Sequence, residues 1–459
     1  MSALNELLEK KRHAYSNAGF KPVFMPDAAF DFQKALIEWS VEKGRSAILA
    51  DCGLGKSLMQ TTIMQNVVQK MNKPVLILTP LAVASQMVEE AEKFGIEATR
   101  CNDGKIKAGA KIVVTNYERL HHFDPADFVA CSCDESSILK NCEGATRELV
   151  TNFMRKMSYR LLCTATPSPN DLIELGTSSE ALGYMGFNDM LSTFFKKDDA
   201  AKTNSRKDEF RAGVWRFRGH AERDFFRWVC SWARAIRKPS DIGFSDDGFT
   251  LPKLITEESI VESVEPLEGM LFPMAAVGLS EQRRERRVTL ERRCQRAAEK
   301  AINHDGSTVS WCYLNDEGDT LEKMIPGSVQ VSGADSMEAK EEAFSGFAKG
   351  EIKKLITKPD IAGFGLNWQH CHHQTFFPSH SFEQYYQAVR RSWRFGQTHN
   401  VKVDLITSEG ESGVMANLIR KSENAELLFQ NLVRLMGAEN FVTIPNDHNT
   451  KTKLPSWLA

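Results

Sequence analysis

The chain has 459 residues, of which 42% are hydrophobic and 26% charged, and its net charge is −2. This composition is ordinary for a soluble globular protein, and the length suffices for two or three domains. The ten cysteines are scattered, which argues against a disulfide framework, and no apolar run approaches the roughly 18 residues of a membrane span. We therefore expect a soluble, intracellular, cytoplasmic protein with no membrane partner. The near-neutral charge gives no global signature for nucleic acid, although a local basic patch would suffice to bind it.

Five apolar runs rich in β-forming residues alternate with helical patterns in the first part of the chain. They lie at residues 46–50, 74–80, 111–117, 127–135 and 159–166. Near-continuous apolar strands separated by helices are typical of a parallel sheet that is covered on both faces. The sequence therefore predicts an α/β domain over residues 25–175, after an N-terminal extension at 1–24.

The segment ADCGLGKS, residues 50–57, lies between the first predicted strand and a helical pattern. Small residues let backbone N–H groups approach phosphate oxygens, and Gly53 and Gly55 meet that need. Lys56 can reach the outer phosphates, and Ser57 offers a hydroxyl to Mg²⁺. The pattern predicts a phosphate-binding loop, with a simple glycine-rich turn as the alternative.

An acidic pair, Asp134 and Glu135, ends the predicted strand at 127–135. Hydrolysis of a phosphoanhydride needs an acidic ligand for Mg²⁺ and a group that orients the attacking water. Asp134 suits the first role and Glu135 the second, whereas the alternative is a solvated turn. Open α/β sheets bind ligands at the carboxyl ends of their strands, where this pair is predicted to lie. Together with the loop, the pair predicts an ATP site with Mg²⁺ as cofactor.

The middle of the chain, residues 176–300, differs in pattern from the segments on either side. Residues 196–210 are polar and predict a loop, whereas residues 224–238 predict an amphipathic helix with aromatic anchors. Residues 281–300 are rich in arginine and glutamate and predict a second helix. Its charges indicate either a solvated face with i,i+4 ion pairs or a surface that contacts phosphates. We interpret the whole segment as a helical insertion and linker.

A second series of five apolar runs begins near residue 308. The runs lie at residues 307–314, 328–333, 353–359, 373–379 and 401–408, with helical patterns between them. They predict a second α/β domain over residues 301–435, followed by a C-terminal tail at 436–459. The predicted fold class is therefore α/β, with two tandem parallel-sheet domains and a helical insertion between them.

The segment QAVRRSWRFGQ, residues 387–397, carries Arg391 and Arg394 three residues apart. On a helix that spacing puts both side chains on one face, where planar guanidinium groups could clamp phosphate oxygens. The alternative is a plain basic helix face. If the second domain closes over ATP, these arginines complete a site whose loop lies on the first domain.

In series, these segments resemble the Swi/Snf-type DNA translocases, ATPases of helicase superfamily two, and especially the short stand-alone members of phages and bacteria. The resemblance covers residues 25–435. ADCGLGKS is similar to the family's A-D-x-x-G-L-G-K-T, with one residue fewer before the glycines and serine for threonine. DESSILKN, residues 134–141, is similar to D-E-A-H-R-I-K-N. RLLCTATPSPNDLIEL, residues 160–175, is similar to R-L-L-L-T-G-T-P-x-x-N-x-x-x-E-L. QAVRRSWRFGQ resembles Q-A-x-D-R-x-x-R-x-G-Q, except that Arg390 stands where the family has aspartate. IAGFGLNW, residues 361–368, resembles the glycine-rich fifth motif.

The resemblance implies two RecA-like lobes and gives roles to further residues. Gln33 lies where the family has a glutamine that reads adenine, and Leu54 belongs to the matched nucleotide loop. Four residues match segments that couple hydrolysis to movement: Thr164, Ala165, Thr166 and Gln387. Four others match segments that meet a nucleic-acid strand: Thr79, Pro80, Thr115 and Asn116.

The function that the resemblance implies is ATP-driven movement along DNA, with duplex DNA as the expected partner, to remodel DNA or protein–DNA complexes. Two other functions stay open. One is a strand-separating DNA or RNA helicase, although no segment of the sequence is recognisable as a wedge element that would part the two strands. The other is an ATP-switched DNA-binding module whose output is recruitment. An unidentified protein partner could direct any of these three activities to its target, since the sequence shows no obvious targeting domain.

Overall fold

The computed structural model describes residues 18–141, 143–197, 215–262, 279–362 and 367–438. Four predicted features therefore lie partly outside the described residues. They are the N-terminal extension, the polar loop at 196–210, the fifth motif with its glycines at 363–366, and the C-terminal tail.

The first lobe is built on a seven-stranded parallel sheet. Its elements up to residue 164 are, in chain order, α1 (Asp31–Lys43), β1 (Arg45–Ala50), α2 (Lys56–Met71), β2 (Val75–Thr79), α3 (Ala84–Lys93), β3 (Thr99–Arg100), β4 (Ile112–Asn116), β5 (Ala130–Cys133), α4 (Ala145–Met154) and β6 (Tyr159–Thr164). All five strands predicted from the apolar runs of this lobe are present. The short β3 at the edge of the sheet was not predicted.

The central strands of this sheet are buried on both faces, as their continuous apolar sequences require. Neighbouring side chains point to opposite faces, so Ile48 and Ile77 join one hydrophobic cluster while Leu49 and Leu78 join the other. Because the strands are parallel, β1, β2, β4, β5 and β6 end at the same edge. This edge collects the predicted phosphate loop and acidic pair.

The segment between the lobes contains both helices and strands. Its elements are α5 (Leu175–Leu182), α6 (Phe187–Phe194), β7 (Phe195–Lys197), β8 (Trp215–Phe217), α7 (Ala221–Cys230), β9 (Ala233–Ile236) and β10 (Leu254–Val261). β7 and β8 form an antiparallel pair. Aromatic side chains from these strands pack with Phe225 of α7 in the first-lobe core.

The predicted helix over residues 224–238 is therefore wrong in its second half. The chain leaves the helix after Cys230 and forms β9, which pairs with β1 at the edge of the first sheet. β10 likewise pairs with the last strand of the second sheet. Short apolar runs do not distinguish a buried strand from a helical turn by periodicity, which explains the error. Both sheets thus draw strands from the segment that we interpreted as an insertion.

The second lobe is built on a six-stranded parallel sheet. After β10 its elements are α8 (Leu279–Val288), α9 (Leu290–Ile302), β11 (Thr308–Trp311), α10 (Asn315–Met324), β12 (Ser328–Gln330), α11 (Met337–Ala348), β13 (Lys354–Thr357), β14 (His373–Phe376), α12 (Phe382–Val389), β15 (Val401–Ser408) and α13 (Ser412–Ala438). The strand order is β10-β15-β14-β11-β13-β12. The five predicted strands are all present, and the fold is α/β with two parallel-sheet lobes, as predicted.

The arginine-rich stretch is helical, as its pattern predicted, but it forms two consecutive helices instead of one, and two of its arginines are neither solvated nor available to phosphate. Arg286 Nε lies 2.6 Å from Glu411 Oε1, and Arg293 Nη1 lies 2.7 Å from Glu317 Oε1. All four side chains are buried. Neither of the two predicted interpretations describes them, because each arginine has a buried carboxylate partner far away in sequence.

The long helix α13 contacts both lobes. Met415 and Leu418 pack in the second-lobe core, whereas Leu428, Phe429 and Leu432 pack in the first-lobe core beside α7 and β9. The described residues include no helix long and apolar enough to cross a membrane.

Candidate nucleotide site between the lobes

The segment between β1 and α2 forms a compact loop at the carboxyl edge of the first sheet. Gly53 and Gly55 adopt φ values of +88° and +78°, which side chains with a Cβ rarely adopt. α2 begins at Lys56, so its free N–H groups and its partial positive charge face the loop. Lys56 Nζ donates hydrogen bonds to the carbonyl oxygens of Ala50 (2.9 Å) and Asp51 (3.3 Å). This geometry fits the predicted phosphate-binding loop, whose binding of phosphate stays a prediction.

Gln33 holds this loop from the side. Its Nε2 donates to the Leu54 carbonyl at 2.9 Å, and its Oε1 accepts from the Phe30 N–H at 3.0 Å. A Cβ on Gly55 would lie only 2.3 Å from Gln33 Nε2, so any other residue there would have to displace the Gln33 side chain from the loop. The structure therefore brings Gln33 to the loop, where its predicted reading of adenine stays a prediction.

A cluster of four phenylalanine side chains lies next to Gln33, and the sequence did not predict it. Phe249 lies with its ring centroid 5.0 Å from that of Phe30, 5.1 Å from that of Phe32 and 4.8 Å from that of Phe395. Phe395 belongs to the second lobe and stacks on Phe249. No sequence signal pairs these rings, because they come from three distant segments.

The acidic pair lies directly after β5, beside the loop. Burial, with the neighbouring Glu135 charge, raises the pKa of Asp134 to about 7, and burial also raises the pKa of Glu135. Lys56 opposes both increases because its positive charge is close to each carboxylate. Glu135 has φ +46°, and its Oε2 is buried without a hydrogen-bond partner. A strained backbone and an unsatisfied buried carboxylate are typical of a functional site.

The donor groups at this position fit a Mg²⁺ ion. Ser57 is the second residue of α2, so its hydroxyl lies at the same end of the sheet as the Asp134 carboxylate. Magnesium prefers hard oxygen ligands, usually one or two carboxylates together with phosphate oxygens and water. The unpaired Oε2 of Glu135 leaves an acceptor for a water molecule.

Arg391 and Arg394 approach this site from the second lobe. Burial lowers the pKa of Arg391 to about 10, although the nearby Cys52 and Glu135 of the first lobe act in the opposite direction. Burial also lowers the pKa of Arg394. Our expectation of a shared helix face was wrong, because α12 ends at Val389 and both arginines lie in the turns that follow. These turns nevertheless direct both side chains towards the first lobe.

The residues predicted to couple hydrolysis to movement also lie at the junction of the lobes. Thr164 ends β6, and its Oγ1 accepts a hydrogen bond from the Thr166 N–H at 3.0 Å. Thr166 Oγ1 and Gln387 Nε2 are buried without hydrogen-bond partners. A cavity of about 320 Å³ separates Ala165 and Thr166 from the aromatic face of α12. The structure brings these residues close to the cleft, whereas their coupling role stays a prediction.

The four predicted nucleic-acid residues lie at the ends of two neighbouring strands. Thr79 of β2 is in register with Asn116 of β4, and Pro80 and Thr115 adjoin them. The side chains of Thr79, Thr115 and Asn116 are buried. Asn116 Oδ1 accepts from the Arg119 N–H at 3.1 Å, and Thr79 Oγ1 donates to the Pro80 carbonyl at 2.7 Å. These side chains shape the loops at this edge, and their contact with nucleic acid stays a prediction.

The fold and the cleft together define a two-lobed protein in which a glycine-rich loop and an acidic pair of the first lobe face arginines of the second. Residues 32–212 match the family model described as an SNF2-related domain. The matched residues include the loop, the acidic pair and the end of β6. The expected resemblance to Swi/Snf-type ATPases of helicase superfamily two is thus confirmed over this segment, and such a domain indicates a nucleic-acid-dependent ATPase.

One similar solved structure is described as the Sulfolobus solfataricus SWI2/SNF2 ATPase core in complex with dsDNA. The identity is 18% and the TM-score 0.42, and the alignment covers 91% of this chain and 96% of that chain. No curated protein matches the sequence.

Proposed function

We propose that the protein is an ATP-dependent translocase that moves along duplex DNA and remodels DNA or protein–DNA complexes. The observation that carries this proposal is that both lobes contribute charged side chains to one cleft. Glu135 lies close enough to Lys56 of the first lobe and to Arg391 of the second for the charge of each to act against the rise in its pKa that burial causes. A site divided between two lobes suits an enzyme that closes and reopens during each cycle.

The first lobe would bind ATP through its loop. The backbone N–H groups around Gly53 and Gly55 would cradle the phosphates, and Lys56 would leave the loop carbonyls to reach the outer phosphate oxygens. Ser57 and Asp134 would hold Mg²⁺, which neutralises phosphate charge when it is bound. Gln33 lies beside the loop at the position of the adenine-reading glutamine in the family that this chain resembles.

Glu135 would orient the attacking water, since its Oε2 is buried and makes no hydrogen bond. Arg391 and Arg394 would stabilise the charge on the transferring phosphoryl group from the opposite lobe. Planar guanidinium groups suit this role because they present several N–H donors in a fixed geometry. Such arginines contribute about 10³- to 10⁵-fold to the rate in comparable enzymes.

Duplex DNA is the proposed track because the DESSILKN and TATPSPN segments favour the Swi/Snf-type branch over strand-separating helicases. Contacts to a phosphate backbone suit such a motor, since they repeat along the track and do not depend on base sequence. The work of the motor would come from alternate closing and opening of the two lobes.

The test is steady-state ATP hydrolysis without nucleic acid, then with duplex DNA, single-stranded DNA and RNA. We expect strong stimulation by duplex DNA in the wild type, none in Lys56→Ala, and wild-type behaviour in Lys323→Ala, a control at an exposed position of α10. Stimulation by single strands or RNA alone would instead favour a strand-separating helicase. Minimal turnover on every substrate would favour a nucleotide-switched binding module.

A further inference from the structure

Two pairs of opposite charges join α12 and the residues after it to the first lobe. Near the start of α12, Glu383 pairs with Lys140, which follows the acidic pair in the DESSILKN segment. Just after its end, Arg390 pairs with Asp51, which lies in the phosphate loop. Glu383 and Arg390 are seven residues apart, so they lie two helical turns apart on the same side. The two contacts therefore attach both ends of one segment to the first lobe.

The contact at Asp51 is the more buried of the two. The Arg390 and Asp51 side chains are 8% and 6% exposed, whereas those of Lys140 and Glu383 are 33% and 13% exposed. Arg390 Nη2 donates to Asp51 Oδ2, and the Tyr386 hydroxyl donates to Asp51 Oδ1. Asp51 Oδ1 also accepts from the Cys52 N–H at 2.6 Å. Both carboxylate oxygens are thus used, and one of them also orders the loop backbone.

Aromatic rings hold the Arg390 guanidinium in place. Its carbon lies 4.2 Å from the ring centroid of Trp393 and 5.2 Å from that of Tyr386. Burial alone would lower the pKa of Arg390, but Asp51 and its other neighbours more than compensate and raise it. An arginine side chain stays protonated in proteins, and the orientation of Arg390 is fixed by packing as well as by the ion pair.

A second contact lies on the far side of Arg391 and Arg394. A Cβ on Gly53 would lie 2.8 Å from the backbone nitrogen of Phe395, so the two chain segments approach as closely as glycine permits. The segment 391–394 is thus held between the Arg390–Asp51 ion pair and the Phe395–Gly53 contact. Both contacts are made to the same phosphate loop.

We propose that Asp51, Arg390 and Tyr386 are positioning residues that dock the arginine-bearing turn of the second lobe onto the phosphate loop, with Lys140 and Glu383 fixing the other end of α12. The proposal rests on the proposed ATPase and goes beyond it, because the family that this chain resembles has aspartate at the position of Arg390. The ion pair would hold the backbone of the turn, whereas Arg391 and Arg394 would touch the phosphates.

A double-mutant cycle on ATP hydrolysis tests the pair. We expect Arg390→Gln and Asp51→Asn each to lower kcat by about 10- to 100-fold, since small displacements of catalytic groups cost that much. Arg390→Gln should leave the Kd for ATP unchanged, because the first lobe binds the nucleotide. The double variant should be no slower than the slower single variant, since neither partner is then left as a buried unpaired charge. Arg390→Lys should be faster than Arg390→Gln but slower than the wild type, because lysine restores the positive charge without the planar guanidinium group that can donate two parallel hydrogen bonds.

The control is Arg296→Gln, which removes an exposed ion pair within α9 and should leave kcat unchanged. Additive losses in the cycle, or a wild-type kcat in Arg390→Gln, would overturn the proposal. In the same way, Lys140→Glu and Glu383→Lys should each lower kcat, and the swapped double variant should recover it. Failure of the swap to recover any activity would remove Lys140 and Glu383 from the proposal.

Small-angle X-ray scattering of the nucleotide-free chain distinguishes a failure of this inference from a failure of the proposed function. If the Arg390–Asp51 pair docks the second lobe onto the first, Arg390→Gln should increase the radius of gyration of the nucleotide-free chain relative to the wild type and to Arg296→Gln. If the wild type hydrolyses no ATP but Arg390→Gln still expands, the docking contact stands and the proposed function fails. If the variant neither expands nor loses activity, the docking contact is wrong while the proposed function stands.

Discussion

At the scale of single residues, Glu135 of the candidate site is distinguished by a buried carboxylate oxygen without a hydrogen-bond partner. Glu135 combines a left-handed backbone, an unpaired carboxylate oxygen and a raised pKa. The sequence predicted the acidic pair because its residue types and its place after a strand match the needs of hydrolysis. It could not predict the strained backbone, which depends on how β5 meets the next turn.

Glu135→Gln tests the role of this side chain in hydrolysis. We expect ATP binding to persist, because the loop and Lys56 are intact, while kcat falls by about 10²- to 10⁴-fold, the usual contribution of a positioned general base. The measurement is steady-state hydrolysis beside equilibrium binding of ATP. Near wild-type turnover would show that Glu135 does not orient the attacking water.

The partners of Arg390 show what the sequence leaves out at this scale. Arg390 and Asp51 lie 339 positions apart, and no local pattern connects them. The prediction placed Arg391 and Arg394 opposite the phosphate loop from the family resemblance and from their spacing. It gave no role to the neighbouring Arg390, because the proposed role of that side chain depends on the contact between the lobes.

At the scale of elements, the strand ends explain how the cleft is assembled. All ten predicted strands are present, because continuous apolar runs between helices leave few alternatives to buried parallel strands. The strands that were missed are short, as in β3 and β9, or rich in exposed polar side chains, as in β10. Their pairing partners, rather than their own sequences, determine that they are strands.

Gly53→Ala tests the close packing of the phosphate loop against the second lobe. The methyl group would meet the Phe395 backbone, and the positive φ would add a cost of about 1 kcal/mol. Gly95→Ala is a matched control, because Gly95 also has a positive φ but has no atom within 4 Å of the position that a Cβ would occupy. Denaturant unfolding should show a cost for both variants, whereas ATP hydrolysis should fall only in Gly53→Ala. Equal activity of both variants would contradict the close contact.

Leu432→Ala tests the attachment of α13 to the first lobe. Leu432 is 1% exposed in the first-lobe core, so its truncation should reduce the free energy of unfolding by about 2–5 kcal/mol. Leu427, on the same helix, is 55% exposed, and Leu427→Ala should change that free energy by less than about 0.5 kcal/mol. The measurement is chemical denaturation followed by circular dichroism. Similar effects of the two substitutions would show that α13 does not pack in this core.

At the scale of the whole molecule, the carboxyl edge of the first sheet faces the arginine-bearing turn of the second lobe, and α12 and α13 contact both lobes. The sequence predicted the two α/β folds, which are present, and a set of ATP-site residues, which stays a prediction. It did not predict that β9 and β10 extend the two sheets from the intervening segment, or that ion pairs join the lobes. Such long-range contacts depend on the three-dimensional arrangement, which local patterns do not specify.

Displacement of a third strand from a DNA triplex tests the central claim most directly, because a motor that moves along duplex DNA removes such a strand without separating the duplex. We expect the wild type with ATP to displace the strand, and we expect no displacement without ATP, with Lys56→Ala or with Glu135→Gln. Duplex-stimulated hydrolysis without displacement, or equal displacement by the wild type and Glu135→Gln, would contradict translocation driven by ATP hydrolysis.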